Sequence, residues 1–147
     1  MHLLTDANGL PLAALLSAGQ RHESTCFEAL MNEVALCGPR GRPLTRPKRV
    51  AGDKGYSYPR IRRWLRSHRI EAVIPQRSDQ LAQHRGRALN FDRMTYRQRN
   101  AVERCIGWLK ACRRLATRYE KLAENFQAMI ELAFIQRYLA LGFSDTT

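Results

Sequence analysis

Long apolar runs are missing from this chain. Nothing in its 147 residues approaches the roughly 18 consecutive apolar residues of a membrane span. No apolar stretch follows a basic N-terminus, so no secretory leader is expected and a cytoplasmic location is. Cysteine is scarce: four residues, Cys26, Cys37, Cys105 and Cys112, with no CxxC pair among them. The four His residues, His2, His22, His68 and His84, do not cluster with these thiols. A zinc site needs convergent ligands and is not expected; reduced, packed thiols are. Repeats and low-complexity tracts are also lacking. Acids are few, 13 against 25 Lys and Arg, and only four of the basic residues are Lys.

What is present is an ordinary globular composition carrying a large positive charge. The apolar fraction of 44% excludes a disordered basic tail, and the length suits one domain. The net charge of +12 is unevenly spread, because 24 of the 25 basic residues lie in residues 38–147, against 9 acids there. Such a surplus points to a polyanionic partner, most commonly nucleic acid; a solvated surface that aids solubility is the plainer reading.

The pattern along the chain reads β-β-α-β-α-β-α-α. Apolar runs at 2–5 and 10–16 flank Asn8-Gly9, a pair that favours a tight hairpin turn. Residues 23–36 read as a helix with Phe27, Leu30, Met31 and Val34 on one face and Ser24 or Thr25 as cap. Residues 38–49 form a basic loop whose first ten positions hold three Pro and two Gly. Its Pro39-Arg40-Gly41-Arg42-Pro43 core resembles the AT-hook, in which Arg40 and Arg42 would enter a minor groove; a solvated connection is the alternative. A strand at 48–52 ends at Asp53, a helix opens at Pro59, and a second strand spans 71–75. Residues 76–92 read as a polar loop, 94–115 as one helix, and 125–141 as another capped by Asn125. The two strands after residue 47 suggest a parallel, helix-covered part of a mixed sheet.

Two carboxylates stand out by position. Asp53 sits at the C-terminal end of a strand, the edge where open α/β sheets bind ligands; Asp before a turn is also common for purely local reasons. On one continuous helix, with Tyr96 at zero, Arg99, Glu103 and Lys110 fall within about 60° of it. That polar stripe borders the apolar positions Val102, Cys105, Ile106, Leu109 and Cys112. An ordinary solvated face with an Arg99–Glu103 ion pair would look the same. Phosphoryl transfer supplies a reason to join the two acids, since carboxylates from different elements can hold two divalent ions around one phosphate. Hard oxygen ligands suit Mg²⁺ or Mn²⁺. Tyr56, Tyr58, Tyr96, Trp64 and Trp108 are spread through the basic part and either stack on bases or pack inside.

The spacing Tyr96-x₂-Arg99-x₃-Glu103-x₆-Lys110 resembles the tyrosine–arginine–glutamate–lysine signature of DDE transposases from bacterial insertion sequences. Ala51-Gly52-Asp53-Lys54-Gly55-Tyr56 is similar to that family's second-aspartate strand end, and Ala72-Val73-Ile74-Pro75 to the following strand. The likeness runs from about residue 2 to residue 141.

The resemblance implies a ribonuclease H-like α/β fold, a mixed sheet with flanking helices. It implies that Asp53 and Glu103 are the second and third catalytic acids and hold Mg²⁺ or Mn²⁺. It further implies that Tyr96, Arg99 and Lys110 contact DNA; Lys54 and Arg104, next to the two acids, and Arg40 and Arg42 of the basic loop are further candidates for DNA binding. The activity implied is DNA nicking at the element's end followed by strand transfer. The family's first aspartate lies on a strand before residues 2–5; Asp6 matches a position not regarded as catalytic. The expectation is therefore a truncated catalytic domain over 1–147 that lacks the first, central strand and is inactive alone. It would be completed by an upstream transposase fragment or a full-length transposase, and would be a homo-oligomer when active. A non-catalytic DNA-binding remnant or inhibitory fragment is the alternative, and an unrelated basic RNA-binding or structural protein would give Asp53 and Glu103 no role.

Overall fold

The computed structural model describes residues 1–20, 22–38, 41–82 and 91–144. Those residues form a mixed α/β protein in two compact units, Met1–Ala18 with Asn100–Thr147, and Gly19–Arg99.

In the first unit β1 (His2–Thr5) and β2 (Pro11–Leu15) pair antiparallel. The Asn8-Gly9 turn forms as the sequence suggests, and Gly9 takes φ +90. A Cβ there would also lie 3.0 Å from the Ala101 carbonyl oxygen, so both φ and space demand glycine. The Asp6 carboxylate is spent on this turn, accepting from the amides of Asn8 (2.9 Å) and Leu10 (2.7 Å). The hairpin packs with α5 (Asn100–Ala111), α6 (Arg113–Ala116) and α7 (Ala123–Ser144). Their shared core is Ala14, Cys105, Leu109, Leu115, Ile130 and Ala133. Two α7 side chains also satisfy β2 carbonyls: Gln127 donates to Ala14 (3.0 Å) and the Tyr138 hydroxyl to Pro11 (2.7 Å).

In the second unit β5 (Arg49–Ala51) and β6 (Glu71–Val73) pair parallel, as expected for strands joined through a helix. That helix, α2 (Pro59–Ser67), has Pro in its first turn, where the missing N–H is harmless. It buries Ile61 and Leu65 completely. Its Trp64 meets Phe27 of α1 (Phe27–Asn32) edge-on, ring centroids 5.7 Å apart. Phe27, Leu30, Met31, Val50, Ile70, Val73 and Ile74 are also buried here.

Several expectations need correction. The strands form three separate two-stranded sheets among the described residues, not one mixed sheet; β5 and β6 have only three residues each. The helix expected over 23–36 contracts to α1, because Ser24 and Thr25 turn back on His22 instead of capping. The basic 38–49 stretch begins as a hairpin of β3 (Leu36–Cys37) and β4 (Pro43–Leu44). Gly41 at φ +72 reverses that chain, so the described part is not the extended AT-hook form; Arg40 lies outside the described residues. In the 76–92 loop α3 (Ser78–Ala82) forms, and 83–90 lie outside the described residues. Asn125 falls inside α7 and does not cap it.

The largest correction concerns 94–115. It is not one helix but α4 (Arg93–Arg97), α5 and α6. The amides of Gln98 and Arg99 bond to Thr95 and Tyr96, three residues back, and this tightening ends α4. Cys112 is extended and separates α5 from α6.

Candidate functional site

Each acid occupies its own element. Asp53 follows β5, where the Gly52 amide still bonds Val73 (3.3 Å) and prolongs the parallel ladder. It N-caps the 3₁₀ turn Lys54–Tyr56, its Oδ1 accepting from the Gly55 amide at 2.8 Å. Oδ2 has no hydrogen-bond partner among the described residues. Lys54 is exposed beside it.

A buried polar joint fixes that turn. Ser57 is 1% exposed. Its hydroxyl donates to Gln80 Oε1 at 2.6 Å, and Gln80 Nε2 donates back to the Ser57 carbonyl. Arg62 donates to Ser57 Oγ (3.2 Å) and to the Ile74 carbonyl (2.7 Å), tying the turn to the end of β6. Burial lowers the Arg62 pKa from its usual value. The joint keeps the carboxylate of Asp53 at the strand end, where the sequence pattern had put it.

Tyr96 and Arg99 come together at the end of α4, the guanidinium 5.7 Å from the ring centroid. Phe91 lies against the same ring, 5.2 Å away. Asp92 caps α4 through bonds to the Met94 (2.9 Å) and Thr95 (3.0 Å) amides. The Thr95 hydroxyl bond, before the amide bonds and Arg49, holds the Asp92 carboxyl below its usual pKa. Arg49 of β5 reaches three residues on two elements: Glu71 of β6 (2.8 Å), and Asp92 (3.9 Å) and Thr95 (3.2 Å) at the start of α4. It therefore ties the helix bearing Tyr96 to the strand that leads into Asp53. Pattern reading missed Arg49, because its helix partners lie more than 40 residues away and no local spacing marks them.

Glu103, Arg104 and Lys110 are exposed on α5. Glu103 and Lys110, seven residues apart on one uninterrupted helix, share a face. The stripe expected from Tyr96 to Lys110 does not survive as one helical face, since α4 and α5 are separate. Asp53, Lys54, Tyr96 and Arg99 belong to the Gly19–Arg99 unit, and Glu103, Arg104 and Lys110 to the other. Arg42 is exposed before β4. Of the aromatic residues expected to stack or pack, Tyr56 and Trp64 pack on Phe27, and Trp108 lies under Arg137 at 5.3 Å.

The donor set tests whether a divalent metal fits. Among the described residues no three of His, Cys, Asp and Glu converge. One oxygen of Asp53 is committed to its cap. A two-metal centre needs carboxylates from several elements around one phosphate, and the described residues do not assemble one. Also among the described residues, no helix is long and apolar enough to cross a membrane.

The charge, the strand-end acid and the aromatic–arginine pair define a basic α/β protein whose exposed cations suit a polyanion. Comparison with known proteins narrows this class. Residues 1–136 match the family model described as "Transposase DDE domain", and the chain belongs to that family. It is 37% identical over 132 residues to the "Putative transposase for insertion sequence element IS402" of Burkholderia cepacia, a match covering 89% of this chain and 58% of that protein. The chain thus spans little more than half the length of that relative. No solved structure matches. Family membership sets aside the reading of an unrelated basic protein.

Proposed function

We propose that this chain is part of the catalytic domain of a bacterial insertion-sequence transposase, with DNA as its substrate and a ribonuclease H-like fold completed by further chain. The observation that carries this reading is the family match over residues 1–136, which contains the whole Tyr96–Lys110 signature. In this reading Asp53 and Glu103 are the second and third acids and the ligands this chain contributes for Mg²⁺ or Mn²⁺. Tyr96, Arg99, Lys110, Lys54 and Arg104, with Arg42 and Arg40, contact DNA. The partners are an upstream transposase fragment or full-length transposase, and a second copy of the chain in the active assembly. The place of action is the cytoplasm, at the nucleoid.

The roles of this chain's own groups follow from elementary chemistry. Exposed Lys54, Arg104 and Lys110 neutralise phosphates and release counterions. Tyr96, backed by Arg99, offers a ring face to an unpaired base. Asp53, held by the Gly55 amide, presents its second oxygen beside that backbone.

A second reading, a DNA-binding chain without catalysis that inhibits a complete transposase, is supported by the charge of residues 38–147, 24 basic against 9 acidic, which binds DNA without any chemistry. Duplex DNA carrying an element end separates the two. With Mg²⁺ or Mn²⁺, the chain alone is expected to bind without nicking, and to nick when a transposase segment bearing the first aspartate is added. Glu103→Gln should abolish that nicking. Equal nicking by Glu103→Gln overturns the role of Glu103. Binding without nicking in every mixture selects the second reading.

A further inference from the structure

The Asp53 turn also walls a cleft whose other polar groups, on His22, Tyr58 and Arg77, the roles above leave unused. It is an open cleft of about 530 Å³ in the Gly19–Arg99 unit, with His22, Lys54, Tyr58, Arg77, Ser78 and Asp79 among its lining residues. The direction of the hydrogen bonds along its wall can be worked out. The Ser24 amide donates to His22 Nδ1 at 3.3 Å, so Nδ1 is the bare nitrogen. Nε2 then carries the hydrogen and donates to the Tyr58 hydroxyl oxygen at 2.9 Å. Arg77 Nη1 points a second donor at the same oxygen, at 3.4 Å. An oxygen that already receives two donors turns its own hydrogen toward a third group.

The Tyr58 hydroxyl is open to solvent, so its hydrogen is available to an acceptor that enters the cleft. The nearby carboxylate of Asp79 is engaged by Arg77 Nε at 3.3 Å. The Lys54 ammonium has neither an ion pair nor a hydrogen bond among the described residues, and it faces the same cleft. The cations lining the cleft outnumber its one carboxylate. Two cations and a hydroxyl donor facing one open cleft suit an anion with oxygen acceptors, small enough to reach a phenol and an ammonium together.

We propose that this cleft binds one phosphate group, with the Tyr58 hydroxyl and the Lys54 ammonium holding its non-bridging oxygens. His22 and Arg77 are positioning residues that aim the Tyr58 hydrogen. The source of the phosphate rests on the DNA reading above: it is a backbone phosphodiester passing the Asp53 turn, since Lys54 directly follows Asp53 in that turn.

The test uses the full chain with a duplex oligonucleotide and, separately, with inorganic phosphate. Tyr58→Phe removes one hydrogen bond and no charge. It is expected to weaken DNA binding about tenfold, the scale of a hydrogen bond to a charged group, with an unchanged salt slope. Lys54→Gln should make the slope of log K against log salt shallower by about 0.9. Inorganic phosphate should shift the NMR signals of the His22 ring in the natural chain and not in Tyr58→Phe. If DNA binds no variant but phosphate still shifts His22 in this way, the cleft stands and its DNA source falls. If DNA binding by both variants matches the natural chain and phosphate acts alike on all, the proposal is overturned. Equal thermal midpoints establish that Tyr58→Phe folds; if its midpoint drops, the exposed Lys54→Gln decides alone.

Discussion

At the scale of single residues, Asp53 separates a local role from a chemical one. Its cap on the Gly55 amide is a turn interaction that any acceptor of the same shape supplies. Asp53→Asn should keep the stability of the natural chain, whereas Asp53→Ala should lose about 1 kcal/mol, read by urea denaturation. If both variants lose nicking in the complemented mixture, the charge and not the cap is what the reaction requires. The cysteines give a second residue-level prediction. Cys37 is exposed, Cys26 and Cys105 are buried, and burial pushes the Cys105 thiol above its usual pKa. With a thiol reagent at pH 8, the first phase should vanish in Cys37→Ser, and Cys105 should react only on unfolding. Rapid labelling of Cys105 in the folded chain would contradict its placement.

At the scale of elements, α4 and α7 behave differently. The cap of α4 depends on ionised Asp92, whose folded pKa is depressed below an unfolded value of about 3.9. Its contribution is therefore complete above the unfolded pKa and fades as pH falls through the folded one. The difference in urea midpoint between the natural chain and Asp92→Ala should be constant above about pH 5 and shrink toward zero well below pH 4. A difference that grows on acidification would refute the cap. α7 instead rests on apolar packing. Ile130 is fully buried, and Ile130→Ala should cost about 3 kcal/mol through lost burial and a residual cavity. Loss of the Tyr138 bond to Pro11 should cost only about 1 kcal/mol, measurable as Tyr138→Phe.

These elements also mark how far local pattern reaches. The Asn8-Gly9 hairpin, the Pro59 helix start and the strand ending at Asp53 were legible, because each depends on neighbours a few residues away. The break at Gln98–Arg99 was not. No Pro or Gly stands there, and Arg97, Gln98 and Arg99 are all ordinary helix residues, so only the i−3 bonds of the folded chain reveal it. The consequence is specific: a signature legible as four spaced residues is divided between α4 (Tyr96), the turn after it (Arg99) and α5 (Glu103 and Lys110).

At the scale of the whole molecule the governing quantity is charge. Residues 38–147 hold 24 basic and 9 acidic residues, and many of the cations, including Lys54, Arg104 and Lys110, are exposed. DNA binding should weaken steeply with salt, by about 0.9 in log–log slope per phosphate neutralised. A flat titration would show that this surface does not meet nucleic acid.

The charge asymmetry, the parallel β–α–β unit and the Tyr96–Lys110 spacing follow from the amino-acid sequence alone, since composition and short-range periodicity are local properties of a chain. Tertiary structure decided the rest: the Arg49 tie to Thr95 across 46 positions, the Tyr58–His22 bond across 36, and the docking of Gln127 on Ala14 across 113. Such pairs satisfy donors and acceptors that burial takes from water, and which partner each one finds depends on which segments the folded core brings side by side.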